Sequence, residues 1–85
     1  DSIKDASSTS LLALAWVLSD TIRAERFLAL TGLTPETLRA SAADPSTQRA
    51  VLDFLCAHEP DLVAAAESLG MAPAELAATR ERLAP

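Results

Sequence analysis

The apolar positions of the chain recur at the spacing of an α-helix, and the densest run is Leu11–Leu18, which contains the only tryptophan. Neither glycine nor proline interrupts this run, and leucine and alanine are strong helix formers. Leu11, Leu14, Ala15 and Leu18 lie at i, i+3, i+4 and i+7, which form one face of a helix. The remaining residues widen that face, so the pattern predicts a first helix that lies at the centre of a helical bundle or is partly covered by another chain.

Turn residues divide the rest of the chain into further short helices. Asp20 and Thr21 are candidate N-caps of the second helix, which we expect to end at Gly32 in the left-handed conformation. Gly70 is expected to end the fifth helix in the same way, and the sixth is expected to continue to about Leu83. Four prolines stand where a first helical position is predicted: Pro35, Pro45, Pro60 and Pro73.

One junction occurs twice. The sequence Gly-Leu-Thr-Pro at Gly32–Pro35 returns as Gly-Met-Ala-Pro at Gly70–Pro73, and the apolar residues of the first and fourth helices correspond at the same offset. This pattern predicts two pseudo-repeated three-helix units at about residues 11–43 and 49–84. Convergence on one helix–turn–helix junction is the alternative explanation.

Composition supports an all-α fold. The chain has 85 residues, of which 49% are hydrophobic and 22% charged, as expected for one folded domain. Strand-forming residues are scarce, and tyrosine is absent. We therefore predict a compact bundle of five to six short helices over residues 9–84, preceded by a flexible N-terminal segment at residues 1–8.

Neither a membrane nor an oxidising compartment is expected. The eight residues of Leu11–Leu18 would span about 12 Å as a helix, whereas the core of a bilayer is about 30 Å thick. The single cysteine, Cys56, cannot form an internal disulfide. Nothing in these features argues for an oxidising compartment.

Charge disfavours nucleic acid as a partner. The chain has seven lysine and arginine residues and twelve aspartate and glutamate residues, which gives a net charge of −5. Contacts between cationic side chains and phosphates supply much of the affinity for nucleic acids, so an acidic chain is disfavoured as a binder. The alternative is a helix-turn-helix DNA-binding regulator that uses the corner Gly32–Arg39. In that segment Arg39 is the only cation, and Glu36 stands in the first turn of the helix.

The sequence offers no evident catalytic or metal chemistry. Cys56 and His58 are the only cysteine and histidine, whereas a zinc site needs three or four ligands. Arg23, Glu25 and Arg26 lie on the first two turns of the second helix and could hold an anion or an acidic partner, but a solvated face with local pairing is the simpler interpretation. Asp53 is expected to face solvent. We predict no cofactor, no metal, no catalytic residue and no enzymatic activity.

An interaction surface is the leading functional hypothesis. Trp16 serves either as a core anchor or as the centre of an exposed apolar surface. The predicted face consists of Trp16, Leu12, Phe27, Leu30 and Leu33. The partner would be an unidentified protein or a second copy of the chain, in a protein-interaction or regulatory module. Binding of a small apolar ligand between helices is a further alternative.

Three segments carry a resemblance to a known family: Leu14–Leu18, Arg26–Glu36 and Ala50–Leu55. With the late Gly-x-x-Pro, their order and spacing resemble the small bacterial family called domain of unknown function 3572. The resemblance implies a compact, all-helical cytoplasmic protein and brings no activity or catalytic residues with it. It also leads us to expect a more apolar turn than Ser46–Gln48 at the start of the fourth helix. More weakly, Glu25–Leu55 is similar in layout to ubiquitin-associated-type three-helix bundles, which implies the topology without a ubiquitin partner.

Overall fold

Six α-helices and a short 3-10 turn make up the computed structural model, which describes the backbone of residues 2–83 and the side chains of residues 6–83. The described residues contain no β-strand, so the all-α prediction is confirmed. The helices are α1 (Ser2–Leu18), α2 (Thr21–Thr31), α3 (Pro35–Ser41), α4 (Pro45–Cys56), α5 (Glu59–Leu69) and α6 (Pro73–Thr79), and the 3-10 turn is Arg80–Arg82.

Most helix boundaries follow from the local chemistry of caps. The side chain of Asp20 accepts a hydrogen bond from the backbone N–H of Arg23 at 2.8 Å, as an N-cap does. Gly32 and Gly70 end α2 and α5 with φ angles of 76° and 72°. Residues other than glycine rarely adopt this left-handed backbone conformation, which explains why a glycine follows each of these two helices.

Two predicted boundaries were wrong by a few residues. α5 begins at Glu59 with His58 at the N-cap, so Pro60 occupies the second helical position and not the first. α6 ends at Thr79, and the 3-10 turn replaces the helix that was predicted to reach Leu83.

The core forms where α1 packs against α4, and among the side chains of residues 6–83 α4 contributes the largest number of buried ones. Its large buried residues are Val51, Leu52, Phe54 and Leu55. The ring of Phe54 meets Phe27 of α2 edge to face, with 5.3 Å between the ring centroids. Since α1 also packs against α2, α5 and α6, helices from both halves of the chain share one core.

The face of α1 that is buried in the core differs from the face that was predicted to be buried. The buried positions are Ala6, Ser10, Ala13, Leu14 and Val17. Leu11 and Leu18, which were predicted to face inward, are partly exposed. Small side chains allow two helices to approach closely, so alanine and serine occupy the interface that leucine was expected to fill.

The N-terminal boundary also differs from the prediction. Residues 6–8 of the predicted flexible segment lie within α1, and Ala6 is buried in the core. The helix begins at Ser2, earlier than the candidate caps at residues 7–10 indicated. Residue 1, the side chains of residues 2–5 and residue 84 at the end of the predicted domain lie outside the described part.

The polar start of α4 packs by hydrogen bonding. Thr47 and Gln48 are buried, although a more apolar turn was expected here. Thr47 Oγ1 donates to Ser41 Oγ at 3.0 Å, and Gln48 Nε2 donates to Ser7 Oγ at 3.0 Å. Buried polar groups are tolerated when they are paired in this way. The pairs tie α4 to both α1 and α3.

Candidate functional site

An apolar cleft of about 300 Å³ opens between α1, α2 and α3. α1 contributes Leu14 and Leu18, and α2 contributes Ala24 and Leu28. The third wall comes from the segment 35–42 and presents Pro35, Leu38, Arg39 and Ala42. The cleft is open on one side, so an occupant can enter without separating the helices.

The turn between α2 and α3 sets the position of the third wall. The backbone N–H of Gly32 donates to the carbonyl of Leu28 at 2.8 Å and closes the end of α2. Thr34 then caps α3, because its Oγ1 accepts the N–H of Thr37 at 3.1 Å while its own N–H donates to Thr37 Oγ1. This reciprocal pair is a capping box. It fixes the direction of α3 beside the end of α2.

Arg39 is the one charged residue among those that line the cleft. Its side chain is exposed and forms no salt bridge with a carboxylate of residues 6–83. The cleft therefore combines apolar walls with one cationic group. A pocket of this kind binds apolar groups through its walls and orients them through its polar residue.

The predicted interaction face does not form one surface. Phe27 is fully buried, and its place in the face was wrong because its ring fills the core beside Phe54. Leu12 and Trp16 border a shallow depression between α1 and α5, whereas Leu30 borders another between α2 and α4. Leu33 packs partly buried against the core.

Comparison with known proteins gives a family. The family model described as "Protein of unknown function (DUF3572)" matches residues 3–85. The chain belongs to this family. No curated protein and no solved structure matches the chain. The DUF3572 match agrees with the resemblance that the three segments carry.

Trp16 is held in place by Arg23 in this DUF3572 protein. The guanidinium carbon of Arg23 lies 3.5 Å from the centroid of the indole ring. Its Nη2 donates to the backbone carbonyl of Trp16 and to Ser19 Oγ. Arg23 thus joins the end of α1 to the start of α2, and these contacts occupy the group that was considered for anion binding.

Arg26 and Asp53 also have partners. Arg26 forms a salt bridge with Asp61 of α5, and its guanidinium lies 4.9 Å from the centroid of the Phe54 ring. Asp53 faces solvent, as predicted, and pairs with Arg80 at 3.2 Å. The Asp53 pair is exposed and contributes little to stability, whereas the side chain of Asp61 is mostly buried beneath Arg26.

Cys56 and His58 have different surroundings. Burial raises the pKa of the Cys56 thiol, and this effect outweighs the neighbouring charge of Arg80, which lowers it. His58 Nδ1 lies 3.0 Å from Asp61 Oδ2. A raised pKa reduces the thiolate fraction that a nucleophile needs. Among residues 6–83 no three histidine, cysteine, aspartate or glutamate side chains cluster as a metal site would require.

The length and polarity of the helices can be compared with the prediction that the chain does not enter a membrane. Within the described part of the chain, every helix is too short or too polar to cross a bilayer.

The leucines of the cleft were visible in the sequence only as apolar positions. Leu14, Leu18, Leu28 and Leu38 fit a core as well as a binding surface. Two features of the sequence could have indicated a cleft here: the small residues Ala24 and Ala42 among these leucines, and the short length of α3. A helix of seven residues is too short to cover the groove between two longer ones.

Proposed function

We propose that this protein is an interaction module that binds a partner protein in the cleft between α1, α2 and α3. The observation that carries the proposal is the cleft itself, with apolar walls and an open side. Leu18 lines it and is 42% exposed, so this side chain is available to a partner. Burial of such a side chain by a partner contributes up to about 1.5–3 kcal/mol.

Two leucines of α1 make a matched pair for the test. Leu18 lines the cleft, whereas Leu12 lies beside Trp16 in the depression between α1 and α5 and is 59% exposed. Leu18→Glu and Leu12→Glu therefore place the same charge on the same helix at two different surfaces. Since both side chains are exposed, neither substitution should unfold the domain, and circular dichroism checks this.

The experiment is a tagged pull-down from native cells, performed with and without nuclease and read by mass spectrometry. A protein recovered with the wild type and with Leu12→Glu, but lost with Leu18→Glu, would support the proposal. Loss with Leu12→Glu alone would contradict it and favour the predicted face around Trp16. Recovery that disappears on nuclease treatment would favour the DNA-binding alternative instead.

A further inference from the structure

We infer that the cleft receives an amphipathic helix of the partner protein, and that this helix places an acidic side chain beside Arg39. The inference rests on the proposed function and specifies the chemistry of the partner. It follows from three properties of the cleft: its hydrogen-bonding capacity, its shape and its charge.

The residues that line the cleft offer almost no hydrogen-bonding groups to the backbone of a bound peptide. Seven of the eight lining residues are alanine, leucine or proline, and Arg39 supplies the one polar side chain. An extended peptide would bring unpaired N–H and C=O groups against these walls, which is unfavourable. A helix satisfies its backbone groups internally, so only its side chains need to match the cleft.

The walls have the spacing that a helix requires. Leu14 and Leu18 are four residues apart on α1, and Ala24 and Leu28 are four apart on α2, so each pair lies on one face of its helix. Leu14 is nearly fully buried there, whereas Leu18 is 42% exposed. Ridges of one helix pack into the grooves of another. A partner helix with apolar residues at i, i+3 or i+4, and i+7 would fill the space above the small side chain of Ala24.

Arg39 determines the charge of the partner. It has no salt-bridge partner among residues 6–83, so a carboxylate beside it would gain an attraction and displace none. The net charge of −5 repels an acidic partner at longer range. Salt screens that repulsion beyond about 8 Å, however, and leaves the contact with Arg39 effective.

A display library of random 16-residue peptides provides the probe, and the full chain serves as bait. The wild type should enrich peptides with helical apolar spacing and an aspartate or glutamate. Arg39→Glu should enrich peptides of the same spacing with lysine or arginine in place of the acid. Arg82→Glu is the matched control, because Arg82 is an exposed cation outside the cleft, and its enriched peptides should match those of the wild type.

Titration of one enriched peptide then measures how much the acidic residue contributes to its binding affinity. Replacing its acid with lysine should weaken binding to the wild type by about threefold to tenfold, and Arg39→Glu should reverse this preference. Leu18→Glu should abolish binding of either peptide.

Several results would overturn the inference. They are the absence of enrichment, enriched peptides without helical spacing, and a charge preference that Arg39→Glu leaves unchanged. Saturable binding of decanoate that competes with the peptides would show that the cleft prefers a small apolar acid. If the pull-down still depends on Leu18 in any of these cases, the proposed function stands and only the helical, acidic partner is wrong. If the pull-down does not depend on Leu18, the proposed function fails as well.

Discussion

Phe27 and Leu30 lie three positions apart on α2, yet their surroundings differ completely. Phe27 is fully buried against Phe54, whereas Leu30 is 71% exposed. Hydrophobicity alone assigns both to one apolar face. The packing of α2 against α1 and α4 decides which of them enters the core.

Phe27→Ala should lower the free energy of unfolding by about 3–5 kcal/mol, because it removes a buried ring and leaves a cavity. Leu30→Ala should change it by less than about 0.5 kcal/mol, since that side chain is mostly in water. Urea unfolding monitored by circular dichroism measures both values. If Phe27→Ala does not fold, Phe27→Leu supplies a milder change with an expected loss of about 1 kcal/mol. Equal losses at the two positions would contradict the assignment of Phe27 to the core.

Among the elements, α1 shows what sequence can and cannot predict. The C-terminal ends of α2 and α5 were predicted correctly, because a left-handed glycine cap depends on only a few neighbouring residues. The buried face of α1 was not, because alanine and serine carry a weak hydrophobic signal even where they are fully buried. The cleft escaped prediction for a related reason: it depends on how three helices are placed relative to one another, which no local pattern specifies.

Two alanines of α1 test the corrected face. Ala13 is fully buried, whereas Ala15 is exposed. Ala13→Leu should therefore destabilise the domain by about 1–3 kcal/mol through overpacking, and Ala15→Leu should be nearly neutral. Thermal unfolding of the two variants gives the comparison directly. The opposite order would restore the face predicted from the leucine spacing.

At the scale of the whole molecule, the helices form one compact body. The radius of gyration is 11.6 Å, close to the value of about 12 Å expected for a globular chain of this length. The core crosses the boundary between the two predicted pseudo-repeats, because α1 packs against α4, α5 and α6. The repeat itself stays a prediction, but any two such units would share one core and could not be stable separately.

A fragment of residues 1–43 should consequently be largely unfolded on its own, since it loses the surfaces that cover Val17 and Phe27. Mixing it with a fragment of residues 44–85 in equal amounts should restore helical content by association. Far-UV circular dichroism of each fragment and of the mixture measures this. A cooperative thermal transition in the isolated 1–43 fragment would show instead that the first half folds independently.

The contact between Arg23 and Trp16 has a consequence for spectroscopy. The single indole of the chain lies under a guanidinium at the α1–α2 junction, so its emission will respond when that junction opens. Leu14 and Trp16, two residues apart, point about 200° from each other around α1, so an occupant beside Leu14 leaves the indole untouched. We expect the emission of this natural fluorophore to report the opening of the junction and to change little when the cleft is occupied. A screen based on intrinsic fluorescence would overlook the ligands that bind there.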